Sequence, residues 1–188
     1  MVLVTAPAPQ THALLAPLDT ALGEAVAQAA YEPTIALMLR FAPGSAAAPF
    51  DGAARFDHPA VAWIADDGAK PGREGAGARF VVHATSAYSR THLERDPAEI
   101  AASLAAEAGR LLRARAEPLA AIGHRWRYAR VSRAVGEPCL WDAAAGIGAC
   151  GDWCLGPRIE AAYDSGRALA ASLVRDFGAR ARAGEGGR

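Results

Sequence analysis

The chain has 188 residues and a mass of 19.5 kDa, enough for one ordinary domain or two small ones whose core needs no metal or disulfide staple. Alanine fills 48 positions, so the 52% hydrophobic share drops to about a quarter of the chain when alanine is set aside, still adequate for a globular core. Basic and acidic residues number 20 each, which leaves no global field to draw nucleic acid or an anionic membrane surface.

Met1 leads into Val-Leu-Val-Thr-Ala without a basic n-region, so the start does not read as a secretory signal and the cytoplasm is the expected location. Residues 2 to 6 form a continuous apolar run ending at Pro7, the pattern of a strand buried on both faces. Helical periodicity follows from about Pro9 to Leu15 and from Thr20 to Ala30, and Thr34 to Phe41 reads as a strand. The Pro/Gly/Ala-rich stretch 42–57 is loop-like. Ala60 to Ala65 and Arg79 to Thr85 read as two strands of one sheet joined by a Gly-rich excursion. Asp96-Pro97-Ala98-Glu99 is a helix start, with Asp as cap, Pro in the first turn and Glu99 three residues past the cap. Ile100, Leu104, Ala108, Leu111 and Leu112 supply that helix's buried stripe. After Pro118 a strand is expected through Val131, then a turn at Gly136-Glu137-Pro138. A final amphipathic helix follows Pro157, with Ile159, Tyr163, Gly166, Leu169, Leu173 and Phe177 close to one face. The Gly/Arg-rich segment 179–188 is expected to be a flexible tail.

No apolar stretch approaches the ~20 residues of a membrane span. Cys139, Cys150 and Cys154 are odd in number and contain no CxxC pair, so they read as free, structural thiols. The histidines His12, His58, His83 and His92 have no metal-ligand spacing, no metal site is expected, and no Ser-His-Asp or paired-carboxylate constellation is defined. Tyr88 and Arg90 read as an exposed helix start.

The informative stretch begins at Gly146. Gly146-Ile147-Gly148-Ala149-Cys150-Gly151 literally fits GxGxxG, whose glycines must lie where a strand turns into a helix. The context argues against that reading, because Gly151 runs into Asp152-Trp153-Cys154 and the helix is expected only after Gly156-Pro157. The other reading makes Ile147 to Gly151 a short buried strand that delivers Asp152 at its end. A loop would follow, then a helix whose free N–H groups point back toward the same spot. Upstream, His124-Arg125-Trp126-Arg127-Tyr128-Ala129-Arg130-Val131 as a strand puts His124, Trp126, Tyr128 and Arg130 on one face. A basic, aromatic nucleic-acid strip and ordinary sheet packing are alternatives for this segment. The rest of the chain offers no basic surface to match the first, so no nucleic-acid partner is expected.

The Gly151-Asp152 string resembles the C-terminal flavin motif of FAD-dependent oxidoreductases of the amine oxidase superfamily, most closely the renalase-like proteins. A similar His-Arg-Trp-Arg-Tyr-Ala segment precedes the Gly-Asp motif in those proteins. Val2 to Gln10, Val-Leu-Val-Thr-Ala-Pro-Ala-Pro-Gln, followed by Leu14-Leu15, resembles the strand and Pro-rich turn just before their substrate domain.

The resemblance implies that Asp152 accepts hydrogen bonds from the ribityl hydroxyls of FAD, that Gly151 allows close backbone approach, and that the Arg158 and Ile159 amides face the flavin pyrimidine edge. It implies that His124 and Trp126 shape and polarise the substrate site, and that Ser165-Gly166 lets the last helix pack closely. The implied chemistry is hydride transfer from a reduced nicotinamide-type or amine substrate to FAD, with oxygen as acceptor. The implied fold is α+β: a substrate domain with a largely antiparallel sheet, and a partial Rossmann-like FAD domain lacking its N-terminal βαβ unit. The expected boundaries are 1–24 and 126–178 for the FAD part, 25–125 for the substrate domain and 179–188 for the tail. The family's first βαβ unit has no counterpart in this sequence, so a truncated chain is expected. The alternative is a non-catalytic remnant or binding domain that cannot hold FAD alone and self-associates through exposed apolar faces.

Overall fold

The computed structural model describes residues 1–18, 20–73 and 77–185, and the chain divides into two units, Met1–Tyr31 with Arg130–Arg188, and Glu32–Ala129. The fold is mixed α+β.

In the first unit, β1 (Val2–Val4) pairs in parallel with β8 (Ile147–Ala149), which pairs antiparallel with β7 (Leu140–Asp142). The sheet order β1-β8-β7 makes β1 an edge strand. Val4 is buried but Val2 and Leu3 are exposed, which corrects the expectation of a strand covered on both faces. Val2 and Leu3 are successive residues and point to opposite faces, so neither face of the sheet is covered at the start of β1, and only Val4 reaches a covered position. Helices α1 (Ala8–Leu15) and α2 (Ala21–Val26) follow, the second capped by the Thr20 hydroxyl, which accepts from the Gly23 amide. Their Ala8, Leu15, Leu22 and Val26 form one core with Val131, Ala149, Trp153 and Cys154.

The second unit is built on a five-stranded sheet. Its strands are β2 (Ala30–Arg40), β3 (Ala53–Arg55), β4 (Val61–Asp66), β5 (Arg79–Ala84) and β6 (Ala120–Arg133), in the order β3-β4-β5-β2-β6. The pairs β3–β4, β4–β5 and β5–β2 are antiparallel. The chain passes between units within β2, at Tyr31–Glu32, and within β6, at Ala129–Arg130. The short β3 lies inside the stretch expected to be loop, so 42–57 is not wholly irregular.

Alternation sorts the sheet into two faces. Ile35, Leu37, Leu39, Ile64, Phe80 and Val82 point into a core with Ile100, Leu104, Ala108 and Leu112. Those last residues line α4 (Pro97–Leu111) and its C-cap, the helix opened by Asp96, whose carboxylate accepts from the Ala98 and Glu99 amides. Tyr88 and Arg90 lie in the short α3 (Ser86–His92).

A one-turn helix, α5 (Asp152–Leu155), stands where a loop was expected, and the long α6 (Ile159–Glu185) follows Pro157. Gly156 ends α5 at φ +142°, a region that side chains rarely adopt, and its amide donates to the Asp152 carbonyl at 2.7 Å. The buried face of α6 is Ala161, Ser165 and Leu169, while Ile159 (88% exposed), Tyr163 (67%) and Phe177 (45%) face solvent. Of the expected apolar stripe Leu169 is buried, and Ile159, Tyr163 and Phe177 are not. The inward line is i, i+4, i+8: Ser165 meets the Gly151 amide at the end of β8, and Leu169 stands against Gly148. The helical backbone runs to Glu185, into the segment expected as a tail, and 186–188 lie outside the described residues.

Candidate functional site

In the first unit the site residues gather where β8 passes into α5. The hairpin glycine Gly146 (φ +66°) precedes β8 rather than following it, and Gly148 lies inside the strand. The glycines therefore do not form the strand-to-helix phosphate turn that GxGxxG requires.

Asp152 opens α5 and is half-buried. The Tyr31 hydroxyl lies 3.4 Å from Asp152 Oδ1 and, at the same distance, accepts from the Ala8 amide. Burial pushes the Tyr31 hydroxyl well above the ordinary tyrosine range, and the neighbouring Asp152 charge adds to it. Tyr31 is thus held protonated as a donor toward the carboxylate. No donor among the described residues reaches Asp152 Oδ2, which leaves acceptor capacity for a hydroxyl-bearing ligand.

Gly151 is required by its own neighbour: a Cβ there would come within 2.5 Å of Trp153 Nε1. The Gly151 amide donates to Ser165 Oγ at 3.1 Å, which ties the end of β8 to α6. Ser165 is fully buried, whereas a Cβ on Gly166 would meet nothing within 4 Å. Close approach at this pair therefore rests on Ser165 and not on Gly166, a correction to the paired role. Cys154 is buried in the same place, and desolvation pushes its thiol up to about 11. Among the described residues no group of three or more His, Cys, Asp or Glu could hold a metal.

At the start of α6, the Arg158 amide donates to the Gly156 carbonyl at 2.8 Å and the Arg158 carbonyl accepts from Ala161 at 3.1 Å. The Ile159 and Glu160 amides are first-turn donors with no intrahelical acceptor. Of the two amides singled out from the sequence, Arg158 is engaged within the chain and Ile159 is open.

In the second unit, β6 places Ile122, His124, Trp126 and Tyr128 on one exposed face. The His124 and Trp126 rings meet edge to face, 4.4 Å between centroids. The opposite face is committed to structure: Arg125 donates to the Leu93 carbonyl, and Arg127 makes a two-point pair with Glu94. A second aromatic pair, not expected from the sequence, is Trp63 on β4 with His83 on β5, 4.8 Å between centroids. These two residues are cross-strand partners, a juxtaposition that only the sheet register reveals. Tyr31 also went unread, because 121 residues separate it from Asp152.

No family model matches the chain. Its fold is similar to that of an Exiguobacterium sp. 255-15 protein assigned as a protoporphyrinogen oxidase, at TM-score 0.63 and 17% identity, covering 93% of this chain and 41% of that one. It is also similar to putrescine oxidase bound to putrescine, at TM-score 0.58 and 14% identity, covering 92% and 42%. A triple variant of putrescine oxidase gives TM-score 0.57 and 15% identity. At these identities the likeness is one of fold. The chain spans about two fifths of the length of these structures (41% and 42%). No helix among the described residues is long and apolar enough to cross a membrane.

Proposed function

We propose that this chain is part of a renalase-like FAD-dependent oxidoreductase acting on a small molecule. The carrying observation is the Asp152 carboxylate at the end of β8, oriented by the Tyr31 hydroxyl and with its second oxygen unspent. Its acceptor character suits the ribityl hydroxyls of FAD. The Ile159 amide, at the positive end of a 27-residue helix, favours negative charge on the flavin's pyrimidine edge. Of the two amides expected at that edge, the Arg158 amide already donates to the Gly156 carbonyl, so the Ile159 amide carries the role. When bound, FAD supplies a two-electron acceptor for hydride from a reduced nicotinamide-type or amine substrate, with oxygen as the terminal acceptor. The residues on this reading position and polarise: His124 and Trp126 form a wall of the substrate site, and Gly151 lets the backbone approach. Residues 1–24 and 126–178 are the flavin-side portion, 25–125 the substrate domain, and the pyrophosphate-binding turn comes from outside this chain.

The test is the flavin content of protein purified from the complete reading frame, as parent and as Asp152→Ala. The parent is expected to carry flavin, and the variant to retain it at least about tenfold more weakly. Protein that purifies without flavin and resists reconstitution with FAD overturns the reading.

A second reading, a non-catalytic remnant that self-associates, is favoured by the exposed Val2 and Leu3 on edge strand β1 and by Ile159 and Tyr163 on α6. Concentration-dependent association without FAD retention supports it over the first.

A further inference from the structure

On the uncovered face of the second unit's sheet lies a cavity of about 440 Å³ with two chemically distinct ends. Met38, Val81 and Ile122 form an apolar floor, and Met38 and Ile122 are 42% and 60% exposed. Met38 and Val81 are direct cross-strand partners, as are Arg40 and Arg79 at the other end. Like charges directly opposite each other on neighbouring strands repel. The nearby carboxylate, Asp67, does not relieve them: it is paired with Lys70 at 2.9 Å and with Arg73. Arg79 gives one guanidinium nitrogen to the Arg73 carbonyl, but its Nε is buried and has no acceptor among the described residues.

From these observations we infer that the cavity binds an amphipathic carboxylate, its apolar body on Met38, Val81 and Ile122 and its carboxylate between Arg40 and Arg79. A carboxylate neutralises the cross-strand arginine pair and matches guanidinium geometry through the terminal nitrogens. The apolar floor adds affinity that a bare anion cannot use. The inference stands independently of flavin binding, although Ile122 precedes His124 by two residues on the same exposed side of β6.

The experiment titrates the full chain with octanoate, octan-1-ol, octylammonium and acetate, following binding by calorimetry and by backbone amide resonances. Octanoate is expected to shift the Met38, Val81 and Ile122 amides saturably and to bind at least about tenfold more tightly than the other three. Arg79→Met and Arg40→Met are each expected to weaken octanoate at least about fivefold while leaving octanol unchanged. Arg40 is exposed, so its replacement keeps the test open if Arg79→Met fails to fold. Octanol or acetate binding as tightly as octanoate, or shifts centred elsewhere, overturns the inference.

Discussion

The Trp153 indole N–H donates to the Ala6 carbonyl at 3.1 Å, joining residues 147 apart in the chain. Trp153 is 1% exposed, and the same carbonyl also accepts from the Thr11 hydroxyl at 2.8 Å. The bond and the ring's volume are therefore separable contributions. Trp153→Phe is expected to cost about 0.5–1.5 kcal/mol for the lost bond and a further increment for the part of the ring it leaves unfilled. Trp153→Ala is expected to cost about 3–5 kcal/mol, since it also leaves a cavity. Urea unfolding of the two variants checks the gap, and equal losses would show that the hydrogen bond carries the whole effect.

Gly148 is enclosed rather than conformationally special. A Cβ there would meet Leu169 Cδ1 at 2.7 Å and Leu3 Cδ2 and Trp141 Cε3 at 3.1 Å. Gly148→Ala is expected to destabilise by about 1–3 kcal/mol through overpacking. Adding Leu169→Ala removes the nearest obstacle, so the double variant should lose less than the sum of the singles. Strict additivity in denaturant midpoints would place the strain elsewhere.

Features governed by neighbours in sequence were legible. Asp96-Pro97-Ala98-Glu99 announced α4 because the cap, its proline and its first-turn acid are all local, and alternation alone sorted His124 and Trp126 from Arg125 and Arg127. What depended on distant partners was not. The α6 face was legible at Leu169 but not at Ile159 and Tyr163, which are exposed, nor at Ser165, which is buried where its hydroxyl accepts from the Gly151 amide. At Asp152 the acid was legible and its orienting partner Tyr31 was not.

The α4 cap gives a local test. Asp96 accepts from Ala98 at 2.8 Å and from Glu99 at 3.2 Å. Asp96→Ala is expected to cost about 0.5–2 kcal/mol, and Asp96→Asn or Asp96→Ser to recover most of it. Thermal unfolding in one buffer decides this, and an unchanged midpoint for Asp96→Ala would mean the cap is energetically idle.

Alkaline stability should carry the signature of Cys154. Its thiol titrates at about 11 in the folded chain, raised by burial, against about 8.5 for a free cysteine. Between those values the unfolded chain releases a proton that the folded chain keeps, so stability is fully present below the lower value and falls as pH rises toward the upper one. Tyr31 adds a loss at higher pH still, because its hydroxyl is also pushed up. Cys154→Ala should flatten the first part of the decline, seen as a smaller drop in urea midpoint. Equal slopes for parent and variant would remove Cys154 as the cause.

On the acid side, His83 is the group to follow. Burial holds its imidazole below the ordinary histidine value, and the Trp63 ring lies against it. The unfolded chain takes up a proton as pH falls through about 6.5, while folded His83 resists until a lower pH. Stability is therefore present above that value and is lost as pH falls toward the folded one. His83→Gln removes the titration and should show a shallower loss of urea midpoint on acidification. Trp63→Ala opens the same imidazole to water and should move its titration, followed by the ring proton resonances, back toward the free value. An unmoved titration would mean that burial by Trp63 is not what holds His83 neutral.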